Sequence, residues 1–379
     1  MDFELDEIEL MVQRTARQFA EKDLVHRADQ ADDNKDFCRE SIELLRRNGY
    51  LGMIIPEEYG GEGMTGFHYV IAKEQIARAC LSTGAIFGAH NLAIYCIKLM
   101  GTEAQKQRYL PLLASGERIG AFALTEANTG SDVASIAASA VRTDGHYEIN
   151  AAKQFITNGG VASLVVVFAK TDRAAGHRGI SAFIVDKHEH GFTVAKEENK
   201  MGIRGTSTGQ LVFENCRVPV ENRLGQEGDG FKLSMMVLDR ARPSVGAQAL
   251  GVAQAAFEAA VRYSQERVVF GKPLSEQQAT RFALADMATQ IDAARLLVYR
   301  AAKLASAGKG RFSKESAMAK LFSSEVAHWV VDRALQIHGG YGYMKEYTIE
   351  RLYRDQRILE IYEGTSEIQR LVISGSLLK

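Results

Sequence analysis

The stretch RILEIYEGTSEIQRLVI near the C-terminus places one carboxylate, Glu363, directly before Gly364 in an apolar run. A carboxyl group that is kept from water holds its proton more tightly, because burial penalises the charged form, and such a group suits general-base chemistry near neutral pH. Gly364 lets the backbone take unusual angles or approach a ligand closely. An ordinary solvated charge on a loop is the alternative. The residues expected to shield the carboxylate are Leu359, Ile361 and Tyr362.

A helix is predicted to begin just after this carboxylate. Ser366 followed by Gln369 fits a capping box, so the helix should start near Glu367. Glu363 would then lie on the segment that leads into the helix. The predicted apolar face of this helix comprises Ile368, Leu371 and Val372.

Two further segments offer small hydrogen-bond donors. Residues 125–132, TEANTGSD, combine hydroxyls with small side chains, and such donors suit a phosphate or a polar heteroaromatic ring. Residues 155–157, FIT, place an aromatic ring and a hydroxyl at a predicted strand end, where they could stack on a ring and bond to it. A plain turn and a hairpin with a core aromatic residue are the commoner explanations.

Other motifs are weaker. Arg267 in QERVVFGK and residues 336–340, QIHGG, could serve a diphosphate, but two glycines after a helix are also an ordinary C-cap, and His338 suits a structural role. The GxGxxG match at residues 61–66 follows Pro56 and lacks a βαβ context, which favours a surface loop. The sequence has no HExxH or P-loop motif.

Composition excludes several classes of function. The 379 residues include 46 Lys plus Arg against 47 Asp plus Glu, so no overall charge favours nucleic acid or an anionic membrane as a partner. No apolar run is longer than Leu164–Ala169, which is far shorter than the roughly 20 residues that cross a bilayer. Four dispersed cysteines suit buried free thiols in a reducing compartment. The acidic N-terminus resembles neither a signal nor a transit peptide, which indicates the cytosol or a removed presequence.

The chain is organised as helices, then strands, then helices. Residues 1–120 read as helical, residues 121–228 as short β runs separated by glycine turns, and residues 229–379 as a helix bundle. The β runs favour an antiparallel barrel or sandwich, and a nucleotide-binding α/β protein would instead alternate strand and helix. The predicted strands include 146–149, 164–168, 180–185 and 211–213, and the predicted bundle helices are 231–266, 275–307 and 314–337.

Four segments taken together resemble the acyl-CoA dehydrogenase family, and most closely its short-chain and butyryl-CoA members. The resemblance extends over essentially the whole chain. It implies a helical N-terminal domain, a β middle domain, a C-terminal four-helix bundle and a homotetramer that binds FAD non-covalently. The segments are TEANTGSD at 125–132, QFITNGG at 154–160, QIHGGYGY at 336–343 and EIYEGTSEIQRLVI at 360–373.

The resemblance also implies residue roles, with Glu363 as the catalytic base. The flavin ring would contact Thr125, Ser131, Phe155, Ile156 and Thr157. The adenosine diphosphate part of an FAD shared with a neighbouring subunit would contact Arg267, Gln278, Gln336, Ile337, Gly339 and Gly340. Phe122, Gly130 and Phe270 would also bind the cofactor. Thr365 and Glu367 would complete the cofactor site. Substrate contacts would come from Ser131, Asp239, Arg242, Tyr362 and Gly364.

Three features set this chain apart within the family pattern. Some members take the base from a glutamate on a bundle helix, but Ala241 stands at that position here. The flavin loop has Ala127 and Asn128 where many relatives have proline and glycine. The helix covering Leu81–Tyr95 lacks the arginine that members use for dicarboxylic substrates, so an uncharged short or small-ring acyl chain is expected.

The resemblance therefore implies an FAD-dependent α,β-dehydrogenation of an acyl-CoA to the 2-enoyl-CoA in fatty or carboxylic acid degradation. Electrons would pass to an electron-transfer flavoprotein, in the bacterial cytoplasm or, after loss of a presequence, in the mitochondrial matrix. Neither nucleic acid, a membrane nor a metal ion is expected as a partner. The alternatives are an oxygen-using acyl-CoA oxidase, a flavoprotein of the same fold that does not dehydrogenate, and a purely structural helical protein.

Overall fold

The computed structural model describes residues 4–34, 36–308 and 310–378. Two groups of helices flank a sheet, as the sequence predicts, although domain boundaries at 120/121 and 228/229 stay a prediction. A π-helical turn, Ala20–Leu24, joins the first two helices. The helices are α1 (Glu7–Phe19), α2 (Val25–Ala28), α3 (Phe37–Arg47), α4 (Gly66–Ala79), α5 (Leu81–Met100), α6 (Glu103–Ala114), α7 (Gly230–Glu266), α8 (Gln278–Ala307), α9 (Ser313–His338), α10 (Thr348–Gln356) and α11 (Ser366–Leu377).

Helices α4 and α5 form the centre of the helical part. Thr65 caps α4, and nearly every residue of this helix is buried, including polar ones. Helix α5 is buried along most of its length because small and apolar residues occupy all of its faces. The long helices α7, α8 and α9 pack side by side, and α4 packs against α7. The three bundle helices predicted from the sequence are confirmed within a few residues.

The central sheet has the strand order β6-β7-β3-β2-β4-β5-β8, and β1 also pairs with β4. Most neighbours are antiparallel, as predicted, but β1 and β2 both run parallel to β4, so a purely antiparallel sheet is wrong. A separate hairpin joins β9 and β10. The strands are β1 (Gly120–Ala123), β2 (Ser139–Thr143), β3 (His146–Thr157), β4 (Leu164–Lys170), β5 (Ile180–Asp186), β6 (Thr193–Glu197), β7 (Thr208–Pro219), β8 (Arg223–Leu224), β9 (Val268–Val269) and β10 (Lys272–Pro273).

A bulge near the end of β3 re-aims its side chains. The register with β7 shifts between Lys153 and Ile156, and Phe155 lies in the shifted segment with φ 59°. A bulge bends the strand and turns a side chain that regular pairing would direct elsewhere. Phe155 is consequently 62% exposed at the strand end.

The C-terminal helix begins one residue earlier than the sequence indicates. Thr365 is the N-cap and accepts from the Ile368 N–H, so Ser366 is the first helical residue and the predicted capping box is wrong. The Gln369 side chain is buried and donates instead to the carbonyl of Gly364 at 2.7 Å. Leu371, predicted on the apolar face, is 65% exposed.

All four cysteines are buried and free, as expected. None of the helices in the described part of the chain is long and apolar enough to cross a bilayer. Among the same residues, no group of three or more His, Cys, Asp or Glu side chains is arranged to hold a metal ion. The GxGxxG match at residues 61–66 forms a loop that ends where α4 begins.

Candidate active site

A cavity of about 340 Å³ lies where helices α5 and α7, the ends of β1 and β3, and the turn before α11 meet. Small and apolar residues of α5 and α7 form much of its wall, including Ala85, Gly88 and Leu238. Eleven of the residues predicted from the resemblance line this one cavity: Phe122, Thr125, Gly130, Ser131, Phe155, Ile156, Thr157, Arg242, Tyr362, Glu363 and Gly364.

Glu363 occupies a strained turn at the edge of the cavity. Its φ is 53° and that of Gly364 is 96°, both in the left-handed region that disfavours ordinary side chains. Such strain costs on the order of 1–3 kcal/mol and persists only where the surroundings enforce it. Two side chains do so, because Lys320 Nζ and Gln369 Nε2 each donate to the Gly364 carbonyl at 2.7 Å.

The Glu363 carboxylate is shielded and incompletely bonded. The side chain keeps some exposure toward the cavity, but its Oε2 atom is enclosed and has no hydrogen-bond partner in the described structure. Burial raises the pKa of Glu363, while the cations Lys73, Lys320 and Arg242 oppose that rise. A carboxylate with a free oxygen and a raised pKa in a cavity is suited to accept a proton.

Of the residues expected to shield this carboxylate, Leu359 is buried and Tyr362 partly buried, but Ile361 is 47% exposed. The shielding by Ile361 was therefore wrongly predicted. The Tyr362 hydroxyl donates to Gln248 Oε1 at 2.5 Å, which ties the turn to α7.

Arg242 lines the cavity from α7 and is 3% exposed. Its Nη1 atom donates to Asp239 Oδ1 at 2.6 Å, and its Nε atom is enclosed without a partner in the described residues. Ser313 Oγ donates to the other Asp239 oxygen. Asp239 therefore lies behind Arg242 and is not among the residues that line the cavity, so its predicted substrate contact is indirect in this geometry.

The loop at residues 125–132 is anchored by a second buried carboxylate, Glu126. Its oxygens accept from the N–H groups of Ala137 at 2.6 Å and Ala138 at 3.0 Å, and from Lys153 Nζ at 2.7 Å. Lys153 is fully buried and also donates to the Leu124 carbonyl at 3.0 Å. Thr125, Gly130 and Ser131 line the cavity from this loop.

The cavity residues fit a flat amphipathic ring. Phe155 is 62% exposed and is held at a strained φ of 59°, and Thr125, Ser131 and Thr157 line the same cavity. An exposed aromatic side chain in a strained bulge at a cavity is a surface for stacking. A side chain at Gly130 would meet nothing within 4 Å, so open space adjoins the loop.

The residues predicted for the diphosphate part lie outside this cavity, next to the β9–β10 hairpin, at the start of α8 and at the end of α9. The guanidinium of Arg267 sits over the Tyr341 ring at 5.6 Å, which brings the hairpin next to the segment after α9. Phe270 at the hairpin tip is 97% exposed with φ 50°. Apart from Ile337, which is partly buried, the predicted cofactor residues in these segments are exposed: Arg267, Phe270, Gln278, Gln336, Gly339 and Gly340.

Gly339 ends α9 with φ 57°, as expected for a helix C-cap. His338 is buried, bonds to the Ala334 carbonyl at 2.7 Å and stacks on Tyr263 at 4.4 Å, so it has the structural role that the sequence favoured. Thr365 and Glu367 lie next to the turn at Glu363 and Gly364. Thr365 caps α11, and Glu367 is exposed.

Sequence reasoning missed the groups that support Glu363. These are Lys73, Lys320, Gln248 and Gln369, all buried. A signal for Lys73 exists in the segment YVIAKEQIA, where a lysine stands within a helix whose other faces are largely apolar. The polar groups on α7 and α9 lie in ordinary amphipathic patterns and give no comparable signal.

Comparison with known proteins assigns the chain to a family. Models of the acyl-CoA dehydrogenase N-terminal, middle and C-terminal domains match residues 6–117, 121–216 and 228–378. The chain therefore belongs to the acyl-CoA dehydrogenase family, whose members are oxidoreductases that use FAD.

Individual relatives are similar over their full length. An acryloyl-CoA reductase (NADH) from Anaerotignum propionicum is 47% identical over 100% of this chain and 96% of its own. A short-chain specific acyl-CoA dehydrogenase from Clostridium acetobutylicum is 46% identical over 100% of both chains. A solved chain from work on the electron transferring flavoprotein of Acidaminococcus fermentans superposes on this chain with a TM-score of 0.97. It is 45% identical, and the superposition covers 100% of both chains.

Proposed function

We propose that this protein removes hydrogen from the α and β carbons of a short, uncharged acyl-CoA and yields the 2-enoyl-CoA. The observation that carries the proposal is the position of Glu363, a shielded carboxylate with an unpartnered oxygen, in the same cavity as the residues that fit a flavin ring. The relative named as a short-chain specific acyl-CoA dehydrogenase supports the same reaction.

In this proposal Glu363 takes the α-proton of the thioester as a general base. A thioester α-proton is weakly acidic, so its removal needs a base in a site that excludes water and donors that stabilise the negative charge on the carbonyl oxygen. The Gly364 N–H would donate to that oxygen, and Lys320 and Gln369 hold the turn that presents it. Bound FAD supplies the acceptor for the β-hydride. Phe155 and Thr157 would orient its ring.

The cavity wall favours a small uncharged acyl group. Helix α5 contributes Ala85, Gly88, Ala89 and Leu92 to the lining, and none of these carries a charge that would pair with a terminal carboxylate. The volume of about 340 Å³ has to accommodate both a ring and an acyl chain, which leaves little room for a long one. Short straight, branched and small-ring acyl groups all meet this requirement.

Anaerobic flavin bleaching tests the proposal. The purified holoprotein should be yellow, and butyryl-CoA should bleach the flavin absorbance within a single turnover, whereas glutaryl-CoA and palmitoyl-CoA should bleach it far more slowly. Isobutyryl-CoA and cyclohexanecarbonyl-CoA resolve the branched and small-ring classes. A yellow protein that no acyl-CoA of this panel bleaches would refute dehydrogenation, and a colourless protein that cannot be reconstituted with FAD would refute the cofactor site.

For the electron acceptor we propose an electron-transfer flavoprotein, because the similar solved chain is described in the context of such a protein. The reduced enzyme should then pass its electrons rapidly to a purified electron-transfer flavoprotein and react slowly with air. Rapid reoxidation by air would instead indicate an acyl-CoA oxidase.

The opposite direction is a second candidate, favoured by the relative named acryloyl-CoA reductase (NADH). In that direction protonated Glu363 would give its proton to the α carbon, since a group that accepts a proton forward must donate it in reverse. Mixing the dithionite-reduced protein with acryloyl-CoA and with crotonyl-CoA shows which enoyl-CoA reoxidises it. Comparison of the two directions at equal substrate concentration decides between the candidates.

For assembly we propose a homotetramer in which each FAD spans two subunits. The predicted diphosphate residues are exposed at the β9–β10 hairpin, outside the cavity that holds Glu363, and a neighbouring copy would bring them to it. Light scattering should give the mass of four chains, and Arg267→Ala should weaken FAD binding.

We place the protein in the bacterial cytoplasm or, after loss of a presequence, in the mitochondrial matrix. Fractionation of the source cells tests this placement.

A further inference from the structure

Lys73 in helix α4 is fully buried just behind the cavity wall. Its Nζ atom donates to the hydroxyls of Tyr69 at 3.1 Å and Ser244 at 3.2 Å. A Cβ atom at Gly88 would overlap Nζ, and Gly88 itself lines the cavity. The ammonium group is therefore separated from the cavity by a residue that has no side chain.

No carboxylate lies within ion-pair distance of this ammonium among the described residues. The adjacent Glu74 turns away to Arg295 at 3.0 Å and Tyr299 at 2.9 Å. A buried charge whose partners are only hydroxyl groups is costly, since hydroxyls replace its hydration poorly. A protein retains such a group more readily where the charge acts on another group.

Charged and titratable groups approach Glu363 from each element packed around it. Helix α7 contributes Arg242, which Asp239 partly neutralises, and α9 contributes Lys320, which is bonded to the Gly364 carbonyl. Helix α4 contributes Lys73 and Tyr69, and the segment of Glu363 itself adds Tyr362. Glu360 and Glu367 from the same segment act on Lys320. Of the three cations, Lys73 has hydroxyls as its only hydrogen-bond acceptors in the described part of the chain.

We propose that Lys73 is a positioning residue that acts through Glu363, because its ammonium keeps the Glu363 carboxylate ionised in the cavity and thereby sets the pH at which the base becomes active. This inference rests on the proposed role of Glu363 as the base. It assigns Lys73 no contact with substrate or flavin.

The surroundings of Lys73 and of Glu363 explain the direction in which the pKa of each is shifted. Burial lowers the pKa of Lys73 to about 8, and the Glu363 carboxylate opposes that fall. Burial raises the pKa of Glu363, and Lys73 is foremost among the cations that oppose that rise. Lys73 is thus charged while the carboxylate loses its proton, and it becomes neutral only above pH 8 or so.

Lys73→Gln removes the charge and keeps a side chain able to bond to Tyr69 and Ser244. The rate of single-turnover flavin reduction by saturating butyryl-CoA is measured against pH. The acidic limb of this profile should move to higher pH by about one unit, because a nearby opposite charge lowers a carboxyl pKa by at least about that much. Below that limb the rate should fall roughly tenfold. Well above pH 8 the two profiles should converge, because the parent lysine is then neutral as well.

Lys73→Met gives the same comparison if the glutamine variant does not fold. A profile that is lowered equally at every pH indicates a structural role and overturns the proposal, as does an acidic limb that stays in place. If the parent itself does not bleach with any acyl-CoA, the proposed function fails before the role of Lys73 is reached.

The reciprocal measurement needs neither catalysis nor a substitution at Lys73. Coupling between two sites acts equally in both directions, so loss of the carboxylate must lower the proton affinity of the amine. Carbon-13 NMR of the holoprotein, labelled at lysine Cε, should show Lys73 titrating at lower pH in Glu363→Gln than in the parent. Lys153, equally buried but paired with Glu126, should titrate unchanged and serves as the internal control. An unchanged Lys73 titration overturns the inference.

Discussion

Two shielded carboxylates, Glu126 behind the loop at residues 125–132 and Glu363 in the cavity lining, have opposite environments. The Glu126 oxygens accept from two backbone N–H groups and from Lys153. Burial opposes its ionisation, but these donors prevail and leave the pKa of Glu126 lowered. Glu363 has an oxygen without a partner, and burial prevails over the more distant cations, so its pKa is raised.

The difference shows how one chain uses similar residue types for structure and for chemistry. A carboxylate with all its acceptors occupied cannot easily take a proton, and its bonds fix the loop that carries Thr125 and Ser131. A carboxylate that cations stabilise from a distance stays ionised but keeps an oxygen available. In this chain, a carboxylate whose oxygens are all hydrogen-bonded has a structural role. A carboxylate that is stabilised by cations at a distance, with a free oxygen, is suited to act as a base.

The largest expected effect is that of Glu363→Gln. This variant should lower the rate of flavin reduction by about 10³-fold, since general-base catalysis contributes on the order of 10²–10⁴. Its flavin content should equal that of the parent, because the carboxylate does not hold the loop. Stopped-flow absorbance measures both. A variant that reduces its flavin as fast as the parent would assign the base to another residue.

Lys153→Met should have a large effect on stability. Removing one partner of a buried ion pair leaves the other charge unpaired and costs about 3–5 kcal/mol. The variant should unfold at lower denaturant concentration and lose flavin on gel filtration. The double variant Lys153→Met/Glu126→Leu should recover part of the stability, because no isolated charge remains. Equal stability of parent and single variant would show that the pair does not anchor the loop.

Lys320→Met should have an intermediate effect. The lysine pKa is lowered to about 8 by burial, and its ammonium holds the Gly364 carbonyl, a bond that Gln369 still makes in the variant. Loss of one charged hydrogen bond, about 1.5 kcal/mol at the low end, corresponds to a rate loss of roughly tenfold. Because Lys320 also opposes the raised pKa of Glu363, the acidic limb of the pH profile should move to higher pH as well. Unlike Lys73→Gln, however, Lys320→Met should keep its tenfold loss above that limb, measured with saturating butyryl-CoA.

The smallest expected effect concerns stability. Because the folded pKa of Glu363 is raised, the native state binds more protons than the unfolded state between the ordinary glutamate pKa and the raised one, so stability falls as pH rises through that window. Glu363→Gln should therefore increase the free energy of unfolding at pH 8 and leave it unchanged at pH 4. A variant that is less stable than the parent at pH 8 contradicts the raised pKa.

Much of the fold was predictable because its signals are local. The three long helices from residue 230 onward and the main strands follow from hydrophobic periodicity, and Glu363 is marked by its apolar neighbours and Gly364. The parallel pairing of β1 and β2 with β4 was not predictable, because it depends on how distant segments meet. The same holds for Lys73, whose relation to Glu363 arises only when α4 packs against α7. The helix start at Ser366 was misjudged because Thr365 and Ser366 are both good caps.

The most direct test of the central claim is a crystal structure of the holoprotein with a non-oxidisable thioether analogue of butyryl-CoA. We expect a Glu363 oxygen within about 3.5 Å of the carbon that corresponds to the α carbon of butyryl-CoA, the distance of a near-attack arrangement. The flavin ring should lie on the other side of the acyl chain, against Phe155 and Thr157. An analogue bound with Glu363 turned toward bulk solvent, or with a different acid beside the acyl chain, would contradict the account.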